Sequence, residues 1–222
     1  ALQVAVYLWV AFAGNVLLNA ESLLSDYLPP AAFVAQLVLL PLLLPFLAFV
    51  QAVLLKRCVL GPLEPGDYPL HSLAFFKWWL NRRLVLNPLF VPGTQLAVWS
   101  CRLLGANVGK DVVLGQTRFP NEYGLVEVGD GATIGPEALL QTWVIENRTL
   151  KLRRVRVGRG CYVGERSVVA LGAAMGRGSV LHPLSVLPRA VRAPEGSAWR
   201  GSPGARLPLG ESTPLLRRLR RL

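Results

Sequence analysis

The chain has 222 residues, of which 52% are hydrophobic, and its mean hydropathy is +0.41. An ordinary soluble domain is less apolar than this, so the composition indicates membrane-spanning segments beside one folded domain. All 24 Lys and Arg side chains lie after residue 55, and the preceding residues carry two charges, those of Glu21 and Asp26. The net charge of +11 does not indicate nucleic-acid binding, because no recognition motif accompanies it.

Residues 1–57 are predicted to form a transmembrane helical hairpin whose first helix is truncated. Residues 1–20 carry no charged side chain, and the uncharged stretch 31–55 can cross a bilayer as a helix at ~1.5 Å per residue. Lys56 and Arg57 follow at once, so the positive-inside rule places the rest of the chain on the cytoplasmic side of an inner or plasma membrane. A cleaved signal peptide at 1–20 and a pair of buried core helices are the alternatives.

Residues 58–103 are predicted to form juxtamembrane or interfacial helices. Aromatic and basic side chains are interleaved between residues 68 and 91, a pattern that suits the headgroup boundary of a membrane. The same pattern also fits an ordinary helix packed on the following domain. Thr94 is a predicted N-cap, and the short helix that it begins should end at Gly105.

A repeat of six residues predicts the fold of residues 104–190. A branched aliphatic residue or Met, which we call an anchor, recurs every six positions. The residue directly after an anchor is often glycine, and the fourth residue after it is usually small. These anchors are Val128, Ile134, Leu140, Val157, Val163, Val169, Met175, Leu181 and Leu187, with a shorter run at Val108 and Leu114. A period of six fits neither a helix nor an ordinary strand, whereas each flat side of a triangular coil has six residues. The sequence therefore predicts a mainly β protein, a left-handed parallel β-helix, followed by a closing turn and basic tail over 191–222.

The repeat is interrupted twice, and insertions in solenoid proteins often form functional loops. Eight extra residues lie between Leu114 and Val128, and eleven lie between Leu140 and Val157. The second insertion is rich in cations that could bind the phosphates of coenzyme A or of a carrier-linked phosphopantetheine. With Arg206 of the tail, these candidate binding residues are Arg153, Arg154 and Arg156. A solvated basic face and contact with anionic lipid are the alternatives.

The repeat closes on Ala198-Trp199-Arg200-Gly201-Ser202-Pro203, and in this it resembles the hexapeptide acyltransferase superfamily. More narrowly, residues 76–203 resemble the C-terminal membrane region of the ε-poly-lysine synthetase family of nonribosomal peptide synthetases. The segments that carry this resemblance are Phe76-Lys77-Trp78-Trp79-Leu80, Leu103-Leu104-Gly105-Ala106-Asn107-Val108-Gly109, Leu125-Val126-Glu127-Val128-Gly129-Asp130, Leu140-Gln141-Thr142 and Pro183-Leu184-Ser185. The resemblance implies a membrane-anchored acyltransferase unit that moves an (amino)acyl group from a pantetheine thioester to an amine or hydroxyl. It also implies three kinds of partner, namely membrane lipid, a carrier protein domain and further β-helix units. The β-helix units would assemble as a trimer or as a tandem pseudo-trimer.

The resemblance further implies a histidine general base directly after Gln141-Thr142, with an acidic residue shortly after it. This chain has Trp143 there, followed by Glu146. Tryptophan has no titratable proton acceptor, so the candidate catalytic residues are Glu146 beside Trp143 and, on the β-helix wall, His182. The alternative is a non-catalytic scaffold or oligomerisation module that has lost the catalytic histidine. No metal is expected, because the β-helix has one histidine.

Overall fold

The computed structural model of the protein describes residues 43, 45–85, 91–116 and 119–208. The chain divides into two compact units, 1–47 and 48–222. Most of the predicted transmembrane hairpin lies outside the described residues. Within the described ranges, no helix combines the length and the apolar character needed to cross a bilayer.

Within the described residues, three helical segments precede the β-helix. Residues 48–54 are α-helical and run into a π-helical turn, Leu55–Leu60, which ends at Gly61. Helix α1 (Leu73–Leu84) is capped by Ser72, whose hydroxyl accepts a hydrogen bond from the amide of Phe75. Helix α2 (Gln95–Leu103) begins after Thr94, whose hydroxyl accepts from the amide of Ala97 at 3.4 Å. It ends before Gly105, which has φ +99°, so the predicted N-cap and stop signal are confirmed.

Three stacked sheets of short strands form the walls of the β-helix. The five-stranded wall contains β2 (Asn107–Val108), β4 (Val126–Val128), β9 (Val155–Val157), β12 (Ala174–Met175) and β15 (Arg192–Ala193). The six-stranded wall contains β3 (Val113–Leu114), β5 (Thr133–Ile134), β10 (Tyr162–Val163), β13 (Val180–Leu181), β16 (Ala198–Arg200) and β17 (Ala205–Arg206). The three-stranded wall contains β6 (Leu139–Leu140), β11 (Val168–Val169) and β14 (Val186–Leu187). All pairings within these walls are parallel except the last, between β16 and β17.

The register confirms a coil of three six-residue sides. Val163 pairs with Leu181 and Met175 pairs with Ala193, in each case 18 residues further along the chain. The anchors point inward, and none of the nine is more than 4% exposed. Full burial of one such side chain contributes about 1.5–3 kcal/mol, so the stacked anchors stabilise the coils. The parallel β-helix is thus confirmed, and its left-handed winding stays a prediction from the hexapeptide period.

The glycine after an anchor is required by the close approach of neighbouring coils. A Cβ atom on Gly164 would lie 2.4 Å from the backbone nitrogen of Pro183, and one on Gly129 would lie 2.5 Å from that of Arg159. No side chain fits at such distances without moving the next coil. These glycines do not have a positive φ. The left-handed backbone conformation occurs three residues after an anchor, as at Gly178 with φ +65°.

The first break in the repeat is smaller than the sequence indicated. Val108 pairs with Val128, 20 residues on, so this coil exceeds the regular 18 by two residues rather than eight. The other six of the eight extra residues form the third side of this coil. The anchor pattern does not reveal that side, because no strand of the three-stranded wall forms there among the described residues. Residues Tyr123–Leu125 form a 3-10 turn before β4 instead.

The second insertion is a β-hairpin, which we call the insertion hairpin. Strands β7 (Trp143–Glu146) and β8 (Thr149–Leu152) pair antiparallel around Asn147 and Arg148, both with positive φ. Two such residues in sequence make the tight turn whose twist matches a hairpin. Strand β1 (Gly66–Pro69) adds to the other edge of β8 and ties the helical region to the insertion.

The coils continue past residue 190, the end predicted from the sequence, as far as Arg200. Ala193 and Trp199 keep the period of six after Leu187 and pair with Met175 and Leu181. The prediction stopped early because alanine and tryptophan are not branched aliphatic residues.

Candidate functional site

Trp143, at the position where the related synthetases were expected to have histidine, is packed between aromatic and cationic groups. Its ring centroid lies 5.1 Å from that of Trp78, on helix α1. The guanidinium carbon of Arg82 lies 4.6 Å above the Trp143 ring. This cation–π contact and the Trp78 contact fix the indole as part of the packing between α1 and the insertion hairpin.

Glu146 lies at the far end of the same strand and is held in two ion pairs. Its carboxylate accepts hydrogen bonds from the Arg189 guanidinium and, at 3.2 Å, from the Lys151 ammonium. The Arg189 hydrogen bond is the main reason that the pKa of Glu146 lies below its ordinary value, and the Lys151 bond adds to it. A carboxylate stabilised in its charged form is a weak general base, so this geometry disfavours the catalytic role predicted for Glu146.

The four predicted phosphate-binding arginines do not converge on one site. Arg153 binds Asp67 at 2.7 Å and donates to the carbonyl oxygen of Gly66, so it fastens β1 to the hairpin. Arg154 and Arg156 both pair with Glu127, at 3.3 and 2.7 Å. Arg206 is exposed on β17 and makes no ion pair within the described part of the chain.

His182 is on the six-stranded wall, directly after the buried anchor Leu181. Its main chain packs against Gly164 of the previous coil, where a Cβ would lie 2.6 Å from the His182 carbonyl carbon. Its Nε2 atom is buried and has no hydrogen-bond partner. Burial, followed by the nearby charge of Arg200, lowers the pKa of His182 below its ordinary value. The imidazole is therefore neutral at pH ~7 and able to accept a proton.

A groove of about 550 Å³ runs along the outer face of the five-stranded wall, and we call it the wall groove. Outward-facing residues one place before the anchors form one column of its lining, namely Asn107, Glu127, Arg156, Ala174 and Arg192. The glycines one place after the anchors form the other column, namely Gly109, Gly129, Gly158 and Gly176. A Cβ at any of these glycines would meet the backbone of the next coil, so this column marks the closest approach of successive coils.

The charges of the wall groove are partly neutralised. Arg156 pairs with Glu127, and Arg159 pairs with Asp130 at 3.1 Å. Arg192 is exposed and forms no ion pair with any residue that the structure describes. Sequence reasoning did not single out Arg192, although its place one residue before the buried Ala193 identifies it as outward-facing once the register is extended.

A buried carboxylate near Trp143 was also missed. Glu122 lies in the first break and is 1% exposed. Its carboxylate accepts hydrogen bonds from Trp78 Nε1 at 2.7 Å and from the Thr142 hydroxyl at 2.9 Å, and it pairs with Arg82 at 3.4 Å. We call these four residues the Glu122 network. Every partner is a donor, so the network satisfies the buried carboxylate and joins α1, the first break and the start of the insertion hairpin.

Known proteins resemble the chain both in sequence and in fold. No family model matches it. It is 30% identical over 164 residues, 70% of this chain, to the delta-poly-L-ornithine synthetase of Acinetobacter baumannii strain AB307-0294, and it spans 12% of that relative's length. A galactoside acetyltransferase solved with coenzyme A superposes with TM-score 0.48 and 14% identity, over 65% of this chain and 86% of that one. A hexapeptide-repeat acetyltransferase of Vibrio cholerae superposes with TM-score 0.47 and 17% identity, over 62% and 93%.

The chain resembles the hexapeptide-repeat superfamily in the six-residue register of its walls. The resemblance to that superfamily is thereby confirmed, and the ornithine-polymer synthetase is a relative of the kind that the narrower resemblance named. This hexapeptide-repeat chain departs from the expected site pattern at Trp143. Its remaining β-helix histidine, His182, is on the six-stranded wall, whereas the wall groove is on the five-stranded wall.

Proposed function

We propose that the chain is an acyl-transfer unit of a larger, membrane-anchored synthetase. It receives an (amino)acyl group as a pantetheine thioester, from coenzyme A or from a carrier domain, and passes it to an amine or hydroxyl acceptor. The sequence similarity to a poly-ornithine synthetase supports this reaction class. A polymer of an amino acid grows by repeated acyl transfer, and the thioester supplies the activated acyl group.

The observation that carries the proposal is the wall groove. A pantetheine arm is a narrow chain of amides and methylenes, and a groove of about 550 Å³ along one wall has room for it. Arg192, exposed and unpaired among the described residues, is available for a phosphate through a charge-assisted hydrogen bond. The small side chain of Ala174, between Arg156 and Arg192 in the same column, leaves the groove open at that height.

His182 is the better candidate for the general base. The neutral form of its imidazole is favoured, whereas Glu146 is engaged by two cations. Because His182 and the wall groove are on different walls, one β-helix would supply the groove and a second would supply the histidine. A trimer or a tandem pseudo-trimer of β-helices provides that arrangement, with the units held at the cytoplasmic face of an inner or plasma membrane.

A non-catalytic scaffold is the second candidate, and Trp143 favours it. The position that should hold the base is occupied by an indole packed against Trp78 and Arg82. In this alternative, the chain completes an oligomer whose chemistry is carried by other units.

Turnover by the full-length protein in lipid distinguishes the two candidates. We expect His182→Gln to lower kcat for amide formation from the thioester by about 100-fold, the contribution of a general base. Glu146→Gln and Trp143→Ala should change kcat by less than about threefold, provided that each protein assembles as the wild type does. If all three variants retain full turnover, the scaffold candidate is correct for this chain.

A further inference from the structure

A second cavity, of about 270 Å³, shares no lining residue with the wall groove or the insertion hairpin. It is lined by the π-helical turn Leu55–Leu60, the end of helix α2 and the 3-10 turn Tyr123–Leu125. Leu63 and Leu104 contribute to its mostly apolar lining, Lys56 and Arg57 contribute two cations, and Glu122 contributes one carboxylate. A π-helical turn often marks a functional site, because it shifts a side chain out of the regular helical position.

Lys56 is set apart from the other lysines by its surroundings. Its ammonium donates to the carbonyl oxygen of Asn121 at 3.3 Å and lies 4.4 Å from the centroid of the Tyr123 ring. No carboxylate that the structure describes lies within ion-pair distance of it, whereas Lys151 is paired with Glu146 at 3.2 Å. Lys77 and Lys110 are exposed to solvent.

The cavity also favours the neutral amine. Burial lowers the pKa of Lys56 to about 8, although the nearby charge of Glu122 opposes the shift. Desolvation of a lysine in an apolar pocket is a recognised way of making the amine nucleophilic. Arg57, also in the cavity lining, donates to the carbonyl oxygen of Leu103 at 3.3 Å.

We propose that Lys56 is an acyl-acceptor site, at which an acyl thioester entering this cavity acylates the lysine amine. The Nζ lone pair attacks the thioester carbonyl, the C–N bond forms and the C–S bond breaks. The thiolate leaves with the electron pair of that bond and takes up the proton lost from nitrogen, so the products are an amide and a free thiol. The choice of a thioester as acyl donor rests on the proposed function, whereas the nucleophilicity of Lys56 rests on the cavity alone.

Competitive acylation of the full chain in detergent micelles tests both parts. The chain is treated with limiting acetic anhydride, or separately with acetyl-coenzyme A, and acetylation at each lysine is measured by peptide mass spectrometry. We expect Lys56 to react at least about tenfold faster than Lys77 and Lys110 at pH ~7.5, because a larger share of its amine is neutral. Its rate should reach half its maximum near the pKa of about 8, far below that of the exposed lysines.

A cavity-filling variant separates the cavity from the lysine itself. A Cβ on Gly124 would meet one backbone oxygen, that of Gly105 at 4.0 Å, so a side chain there fits the fold. Gly124→Leu should reduce Lys56 acylation by about tenfold by filling the cavity, whereas Gly124→Ala should leave it unchanged. Equal reaction of Lys56 and Lys110 with both reagents in the folded chain would overturn the proposal. Reaction with the anhydride but not with acetyl-coenzyme A would overturn its thioester part and leave the proposed function to be judged by turnover.

Discussion

The coils after Val155 and the region before it bury their polar groups in different ways. In the later coils, every side has six residues, and the polar side chains inside are small hydroxyls such as Ser167 and Ser185, buried at 0% and 1% exposure. In the earlier region, the two breaks admit a buried carboxylate, a cation over two tryptophans and an antiparallel hairpin. The regular coils therefore depend on close approach between backbones, whereas the interrupted region depends on specific polar partners.

The largest expected effect concerns those polar partners. Glu122→Gln removes the charge that holds Arg82 and brings an amide donor towards the donors of Trp78 and Thr142. We expect a loss of about 3 kcal/mol in the free energy of unfolding, measured with denaturant in detergent, since one partner of a buried ion pair is lost. Glu137→Gln is the matched control, because Glu137 and its partner Arg166 are exposed, and it should lower the free energy of unfolding far less. Equal losses in the two variants would remove the distinction between the two regions.

A smaller effect is expected in the regular coils, where backbone approach is the constraint. A methyl group on Gly164 would meet the backbone of Pro183 at 2.4 Å, so Gly164→Ala should cost about 2–3 kcal/mol through overpacking. Gly178 has φ +65° and open space around its would-be Cβ. Gly178→Ala should therefore cost only about 1 kcal/mol, the price of left-handed backbone. The same unfolding measurement compares them, and a greater loss at Gly178 would refute the steric account.

The smallest effect is a pH dependence at His182. Its pKa is lower in the folded chain than in the unfolded chain, so the unfolded state binds more protons below pH ~6.5. The wild type should therefore lose stability as the pH falls below ~6.5, through the folded pKa. His182→Gln lacks this term, so its stability relative to wild type should rise towards acid pH, as unfolding at pH ~7.5 and ~5.5 would reveal.

The regular region was also the more predictable of the two. Anchors, small residues and glycines at fixed spacing predicted the coils, because each side repeats one packing requirement. The insertion hairpin and the Glu122 network could not be predicted in the same way, since their partners lie far apart in sequence. Trp78 and Glu122 are separated by 44 residues, and nothing local to either indicates the other.

The candidate site shows the same limit. The cluster of cations in the sequence predicted Arg153 and Arg154 as phosphate-binding residues. In the structure, Arg153 pairs with Asp67 and Arg154 pairs with Glu127. The register of the strands identifies Arg192 instead, because it aligns that residue with Ala174 and Arg156 on one outer face. Charge composition predicts that cations are present, whereas only the register tells which of them remain available.

We propose that the thioester donor binds in the wall groove rather than at the insertion hairpin. Calorimetric titration of the chain with coenzyme A in detergent tests this most directly. Arg192→Glu and Arg153→Glu reverse one charge each, the first in the groove and the second on the hairpin side. We predict that Arg192→Glu weakens binding by at least about tenfold, the value of one charge-assisted hydrogen bond, while Arg153→Glu changes it by less than about threefold. Binding that is unchanged by Arg192→Glu but lost in a folded Arg153→Glu chain would contradict the account and return the donor site to the insertion hairpin.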